Sequence, residues 1–252
     1  MAEFQSGGFR LAYDDIGRGR PIVLVHGFAS NRNENWRRLG WYGAFERKGV
    51  RCIAFDVRGH GESDKPHEPE AYARGALVGD IFALMDHLEI LRADLMGYSM
   101  GARLALAAAL SKPERVDHLI LGGIGGRMFE RSGSADVMAA AMLADDPGTI
   151  TEPLLRSFRH FADEQGEDRL ALAAFTRGTG EALDRERVST LRVPTLIVAG
   201  ARDALAGSAE ELAAIIPGAQ AITLPGCDHF SAIPHAMFKA SVFDFLDGTL
   251  GL

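Results

Sequence analysis

The chain reads as an α/β protein: a mostly parallel β-sheet with helices on both faces and a helical insertion past its middle. Three observations predict it. Short runs that are apolar at every position recur along the chain, as in strands buried on both faces. Helical patterns separate those runs, which is the alternation of βαβ units. One long stretch, between Leu121 and Thr195, carries helical patterns and no strand run. A structureless loop of that length is rare in a compact domain, so a helical insertion is the better reading.

The elements follow in order. Phe9 to Asp15 reads as an early strand, after a Gly7-Gly8 turn that follows another short extended piece. Pro21 to Val25 is an apolar run ending at His26-Gly27, and Cys52 to Phe55 is another, ending at Asp56. Asp94 to Met96 ends at Gly97, and His118 to Leu121 follows. Thr195 to Val198 and Ala221 to Leu224 complete the set. Leu77, Ile81, Leu84, Met85 and Leu88 keep the spacing of one helix face. Ala102 to Leu110 is rich in strong helix formers. Glu210 to Ile216 and Phe238 to Leu246 are also helical, as are Val137 to Leu143, Leu154 to Phe161 and Leu170 to Phe175 in the insertion. The expected division is a core of residues 1–125 and 188–252 with a cap of residues 126–187.

Composition narrows the function classes. The 252 residues carry 27 Lys plus Arg against 34 Asp plus Glu, a net charge of −7, which argues against a nucleic-acid partner. With 47% hydrophobic residues there is ample apolar surface to bury. No apolar run is long enough to span a membrane, and the first residues lack the pattern of a signal peptide. The expected location is cytoplasmic, as a monomer or homodimer. Cys52 and Cys227 cannot make a disulfide framework. The histidines lack the spacing of a zinc site, and Gly122 to Gly126 has no Lys-Ser/Thr pair after it, so neither a metal nor another cofactor is expected.

Gly97-Tyr98-Ser99-Met100-Gly101 matches the G-x-S-x-G nucleophile elbow, with a strand run before it and a helix former after it. A serine hydroxyl needs a base, and the base needs an acid to orient it. Of the eight histidines, His229 follows the last strand run and so reaches the strand ends where Ser99 opens. His87, His118 and His160 sit in or beside helix and strand patterns, and His67 and His235 adjoin prolines. Asp203 lies between serine and histidine in chain order, after the run Thr195 to Val198. Asp228 is the immediate neighbour of His229, a poor position from which to orient its ring. Backbone N–H groups of Met100 and Phe28 are the candidate oxyanion donors. His26-Gly27 alone reads as a strand-ending turn; it gains meaning only beside the serine motif.

His26-Gly27-Phe28, Asp56 to Ser63, Gly97 to Gly101, Gly200-Ala201-Arg202-Asp203 and Asp228-His229 stand in the order found in the α/β-hydrolase fold superfamily, which the chain resembles outside the insertion. The resemblance implies an eight-stranded sheet, a helical cap and a Ser99–His229–Asp203 triad. The Gly-Tyr-Ser-Met-Gly form resembles a group that includes carboxylesterases, enol-lactonases and carbon–carbon bond hydrolases. Serine at 99 departs from haloalkane dehalogenases and epoxide hydrolases, which carry aspartate there. The single glycine of His26-Gly27-Phe28 departs from the HGGG loop of some lipases. Asp56 to Ser63 is expected to brace loops, with His60 not catalytic.

The expected activity is hydrolysis of small to medium, mainly apolar carboxylic esters through an acyl-enzyme. The alternatives are a carbon–carbon bond hydrolase or enol-lactonase with the same triad, a slow-turnover ligand receptor, or a cofactor-free perhydrolase. The expected partner is a small-molecule ester. Trp36, Phe129, Met142, Phe158 and Phe230 are the candidate pocket residues, from a cap that also offers Met128, Met138, Phe161 and Phe175. From Arg127 to Thr190 there are 8 basic and 12 acidic residues, so no basic field attracts an anionic substrate. Arg103 is expected on a helix surface.

Overall fold

The computed structural model describes residues 2–130, 135–179 and 183–250. Residues 131–134 and 180–182, which fall in the expected cap segment, lie outside the described residues, as do residues 1, 251 and 252.

The strands are β1 (Ala2–Ser6), β2 (Phe9–Ile16), β3 (Arg20–Val25), β4 (Val50–Phe55), β5 (Ala93–Tyr98), β6 (Val116–Gly122), β7 (Thr195–Gly200) and β8 (Gln220–Leu224). They form one eight-stranded sheet in the order β1-β2-β4-β3-β5-β6-β7-β8. β2 runs antiparallel to both β1 and β4, and every other pairing is parallel. This is the α/β-hydrolase arrangement. β5 and β7 are buried at every position, which is why their sequences are apolar runs rather than alternations.

The helices are α1 (Trp41–Arg47), α2 (Arg74–His87), α3 (Met100–Ser111), α4 (Ala135–Leu143), α5 (Pro153–Gln165), α6 (Arg169–Gly178), α7 (Arg185–Ser189), α8 (Ala209–Ala213) and α9 (Ala236–Leu246). On one face of the sheet, α2, α3 and α8 bury Leu77, Ile81, Leu84, Ala105 and Leu212 against Val23, Leu95 and Ile197. On the other, α1 and α9 bury Trp41, Phe45, Phe238 and Val242 against Leu24, Met96 and Leu196. Each fully buried side chain of this size contributes roughly 1.5–3 kcal/mol. α1 and the π-helical turn Asn33–Arg37 before it were not foreseen from the sequence.

Helices α4 to α7 occupy the chain between β6 and β7. Met142, Ala139, Phe158, Ala162, Leu172 and Ala173 form their own apolar cluster, which reaches Ala29 of the loop after β3. Arg159, buried on α5, closes the end of α4 by donating to the Ala141 carbonyl (3.2 Å) and pairs with Asp163 (2.9 Å). Polar contacts from two acidic residues, Glu167 and Asp168, tie these helices to the loops beside them. Glu167 accepts the Gly61 N–H (2.9 Å) and the Asn31 side-chain amide (3.2 Å), and His67 meets Asp168 (2.9 Å). A side chain at Gly178 would strike the Pro69 carbonyl, so glycine there allows close approach.

The segment Asp56 to Ser63 braces the loops beside these contacts. Asp56 accepts the Arg32 N–H (2.8 Å) and pairs with the Arg32 guanidinium, and Ser63 donates to the Asp56 carbonyl (2.6 Å). Arg58 pairs with Asp80 at 2.7 Å, both fully buried. Losing one partner of such a pair strands a buried charge, at about 3–5 kcal/mol. Among the described residues no helix is long and apolar enough to cross a membrane.

Candidate active site

Ser99 stands between the end of β5 and the start of α3, in the left-handed region of backbone space (φ 54°, ψ −113°). That conformation is strained for a residue with a side chain and marks functional turns. Its N–H donates to the Gly122 carbonyl (2.8 Å), and its carbonyl accepts the Arg103 N–H (3.2 Å). The flanking glycines are required by space: a Cβ at Gly97 would overlap the Gly101 carbonyl, and one at Gly101 would overlap the Val25 carbonyl. The turn therefore lifts Ser99 above the carboxyl ends of β3 and β5, where open α/β sheets bind ligands.

His229 lies in the loop between β8 and α9, and Asp203 in the loop after β7. Glycine at 200 lets these loops touch, since a Cβ there would overlap the Cys227 carbonyl. The Arg202 N–H then donates to that carbonyl at 2.8 Å. His229 Nε2 is 2.9 Å from Ser99 Oγ, and His229 Nδ1 is 2.8 Å from Asp203 Oδ2. The carboxylate can only accept, so it assigns the ring proton to Nδ1 and leaves Nε2 to accept from the serine hydroxyl. The second oxygen of Asp203 accepts the N–H groups of Leu205 and Ala206, both at 3.0 Å. Asp203 and His229 are both buried, at 4% and 7% exposure, which protects the pair from competing water. Asp228 turns away: its Oδ1 accepts the Ser231 hydroxyl and N–H at 2.6 and 2.8 Å. Those bonds hold the exposed Asp228 carboxyl below the usual range.

Among the described residues, neither the Phe28 N–H nor the Met100 N–H has an acceptor. Both belong to segments beside Ser99, and a Cβ at Gly27 would come 3.7 Å from Ser99 Cβ. The loop bearing Phe28 is held from two sides. Gly27 N–H donates to Asn35 Oδ1 (2.7 Å), and His26 bridges the strand ends by accepting the Val57 N–H (2.9 Å) at Nε2. Burial pushes the His26 imidazole down to about 4, so it stays neutral and keeps that acceptor. His60 stacks edge-on to His26, Phe28 and Phe175, and burial also holds it well below the ordinary histidine value. Among the described residues it makes no hydrogen bond or ring contact with Ser99, His229 or Asp203.

A cavity of about 220 Å³ opens over Ser99 and His229. Its apolar wall is Phe28, Leu39, Phe158, Phe161, Phe230 and Ile233; its polar wall is Ser30, Glu34 and Asn35. Of the five expected pocket residues, Phe158 and Phe230 are there. Trp36 is not: it is fully buried in the core, edge-on to Trp41 at 6.1 Å. The π-helical turn aims Glu34 and Asn35 at the cavity and its next residue at the sheet. Met142 is fully buried inside the cap cluster, and Phe129 packs on the main core under the Arg185 guanidinium. Arg103 also departs from expectation. It is half-buried and donates to the Met128 carbonyl (3.1 Å), and desolvation lowers its guanidinium from the ordinary value. Asn35, Leu39 and Ile233 carried no motif that could have marked them.

The structure thus brings Ser99, His229 and Asp203 into one hydrogen-bonded chain, with Ser99 and His229 opening on the cavity and two N–H groups without an acceptor beside the serine, an arrangement suited to acyl transfer. Residues 20–177 match the family model described as alpha/beta hydrolase fold. The chain belongs to the α/β-hydrolase family. It is 33% identical over 242 residues to the dihydrolipoyllysine-residue acetyltransferase component of an acetoin cleaving system from Pseudomonas putida, a match covering 88% of this chain and 62% of that longer protein. It is 29% identical to a 2-hydroxymuconate semialdehyde hydrolase from Pseudomonas sp. (strain CF600), with 97% of this chain and 93% of that one covered. The crystal structure of the enol-lactonase from Burkholderia xenovorans LB400 superposes with a TM-score of 0.81 at 25% identity, covering 98% of this chain and all of the other. These findings support a hydrolase of this fold.

Proposed function

We propose that this hydrolase cleaves a carbon–carbon bond beside a carbonyl, with Ser99 as nucleophile, His229 as proton carrier and Asp203 orienting the ring. The observation that carries the proposal is the end-to-end likeness to a hydrolase of 2-hydroxymuconate semialdehyde. Such a molecule holds no ester or amide, so its hydrolysis breaks a carbon–carbon bond. Simple esters, favoured by the motifs alone, become the second candidate together with enol-lactones, on the likeness to the enol-lactonase.

The chemistry follows from the relay. Ser99 Oγ bonds to the carbonyl carbon while its proton passes to His229 Nε2, 2.9 Å away. The oxyanion meets the Phe28 and Met100 N–H groups. Collapse breaks the bond to the adjacent carbon, which leaves with the electron pair and takes the proton from His229. That carbon must be conjugated to a second carbonyl or enol, since an isolated carbanion is too basic to leave. Water, activated by His229, then releases the acid from Ser99.

A vinylogous 1,5-diketone and a p-nitrophenyl ester with the same acyl group test this. The diketone is expected to be turned over with a kcat/KM at least about tenfold higher, a difference of about 1.4 kcal/mol in the barrier. Preference for the ester would overturn the carbon–carbon proposal in favour of ester hydrolysis.

A further inference from the structure

We propose that Glu34 sets the substrate class of this cavity: it excludes carboxylates and takes carbonyl compounds whose distal end is neutral and donates a hydrogen bond. This inference rests on the cavity over Ser99 being the substrate site. Glu34 lies on the turn Asn33–Arg37 and lines that cavity, with its N–H anchored to Asn31 Oδ1 at 3.0 Å. Its side chain is only 17% exposed.

Both of its side-chain bonds engage one oxygen. Oε1 accepts from Arg38 at 3.0 Å and from Asn33 at 3.2 Å. Among the described residues nothing donates to Oε2. Arg38 itself does not line the cavity and is 66% exposed, so its charge is shared with water. Among the described residues no lysine or arginine lines the wall; Ser30 and Asn35 there are neutral, with Asn35 Oδ1 committed to the Gly27 N–H, and His229 holds its Nδ1 proton on Asp203. A substrate carboxylate would meet a like charge at the Glu34 end of a mainly apolar cavity with no lysine or arginine there to receive it. A hydroxyl or amide would find Oε2 as an acceptor. 2-Hydroxymuconate semialdehyde, as its name states, carries a carboxylate, so the inference separates this chain's substrate from that one while keeping the bond class.

Binding of two isosteric probes, 4-phenylbutanamide and 4-phenylbutyrate, to folded Ser99→Ala protein tests the inference by calorimetry, without turnover. The amide is expected to bind at least about tenfold more tightly. Glu34→Gln on the same background should bring the two within about threefold, and Arg38→Gln, a surface change that strips Oε1 of its counter-ion, should widen the gap. Equal or tighter binding of the carboxylate, a preference untouched by either substitution, or no binding of either probe at millimolar concentration would overturn it. Failure of the carbon–carbon proposal is read separately, as an ester preference of the wild type.

Discussion

Glu167 offers a sharp test of how the helices between β6 and β7 are held. It sits between α5 and α6, 8% exposed, with its carboxyl against the Gly61 N–H and the Asn31 amide. Burial raises its pKa from 4.5 to about 7, opposed by the Gly61 and Asn31 bonds and by Lys65, and reinforced by Asp56. The unfolded chain releases this proton near 4.5, whereas the folded protein keeps it to about 7. The folded state therefore binds more protons between those values, and stability falls as pH rises through that window. At 1.36 kcal/mol per pH unit the full cost above pH 7 is about 3 kcal/mol, and below 4.5 it is absent. Glu167→Gln removes the titration. Urea unfolding of both proteins at pH 4.5 and pH 8 isolates it, because groups common to both cancel in the difference. The variant should gain about 3 kcal/mol on the wild type between the two pH values. A difference that does not change with pH would show that the buried Glu167 carboxyl does not hold its proton to higher pH in the folded protein.

Asp203→Asn keeps the shape but lets the amide donate toward His229 Nδ1, placing the ring proton on the wrong nitrogen; kcat should fall roughly 10³–10⁴-fold with the melting temperature nearly unchanged, and a loss under tenfold would argue against the relay. His26 runs opposite to Glu167 in sign: its folded pKa of about 4 lies below the ordinary 6.5, so the unfolded chain takes up the proton first and stability is lost as pH falls through that interval. The loss is about 3 kcal/mol for His26 alone. His26→Gln should flatten that acid limb in denaturation curves, and an unchanged limb would assign the acid sensitivity elsewhere.

The parts legible in the sequence were those governed by local chemistry. β5 and β7 are buried on both faces, so their apolar runs announced them. Gly97, Gly101 and Gly200 each face a carbonyl with no room for a side chain, which is why the glycine pattern around Ser99 and Asp203 could be read. The pocket was less legible because it depends on which way a turn faces. Trp36 and Asn35 are neighbours, yet one fills the core and the other lines the cavity, and the π-helical turn that separates them follows no ordinary periodicity. Phe129 and Met142 show the same limit: an apolar residue in the cap can serve its own cluster, the main core or the cavity, and only the docked helices decide. Arg103 and Glu167 were hidden because their partners, Met128 and Gly61, are backbone groups distant in sequence.

Every step proposed for this protein depends on Ser99 being the nucleophile of a Ser99–His229–Asp203 relay. That role is tested by mapping the adduct of a fluorophosphonate with peptide mass spectrometry. One phosphonyl group is expected on Ser99, formed rapidly in the wild type and at least about a hundredfold more slowly in His229→Ala. Labelling at another residue, or equal labelling of Ser99 without His229, would contradict it.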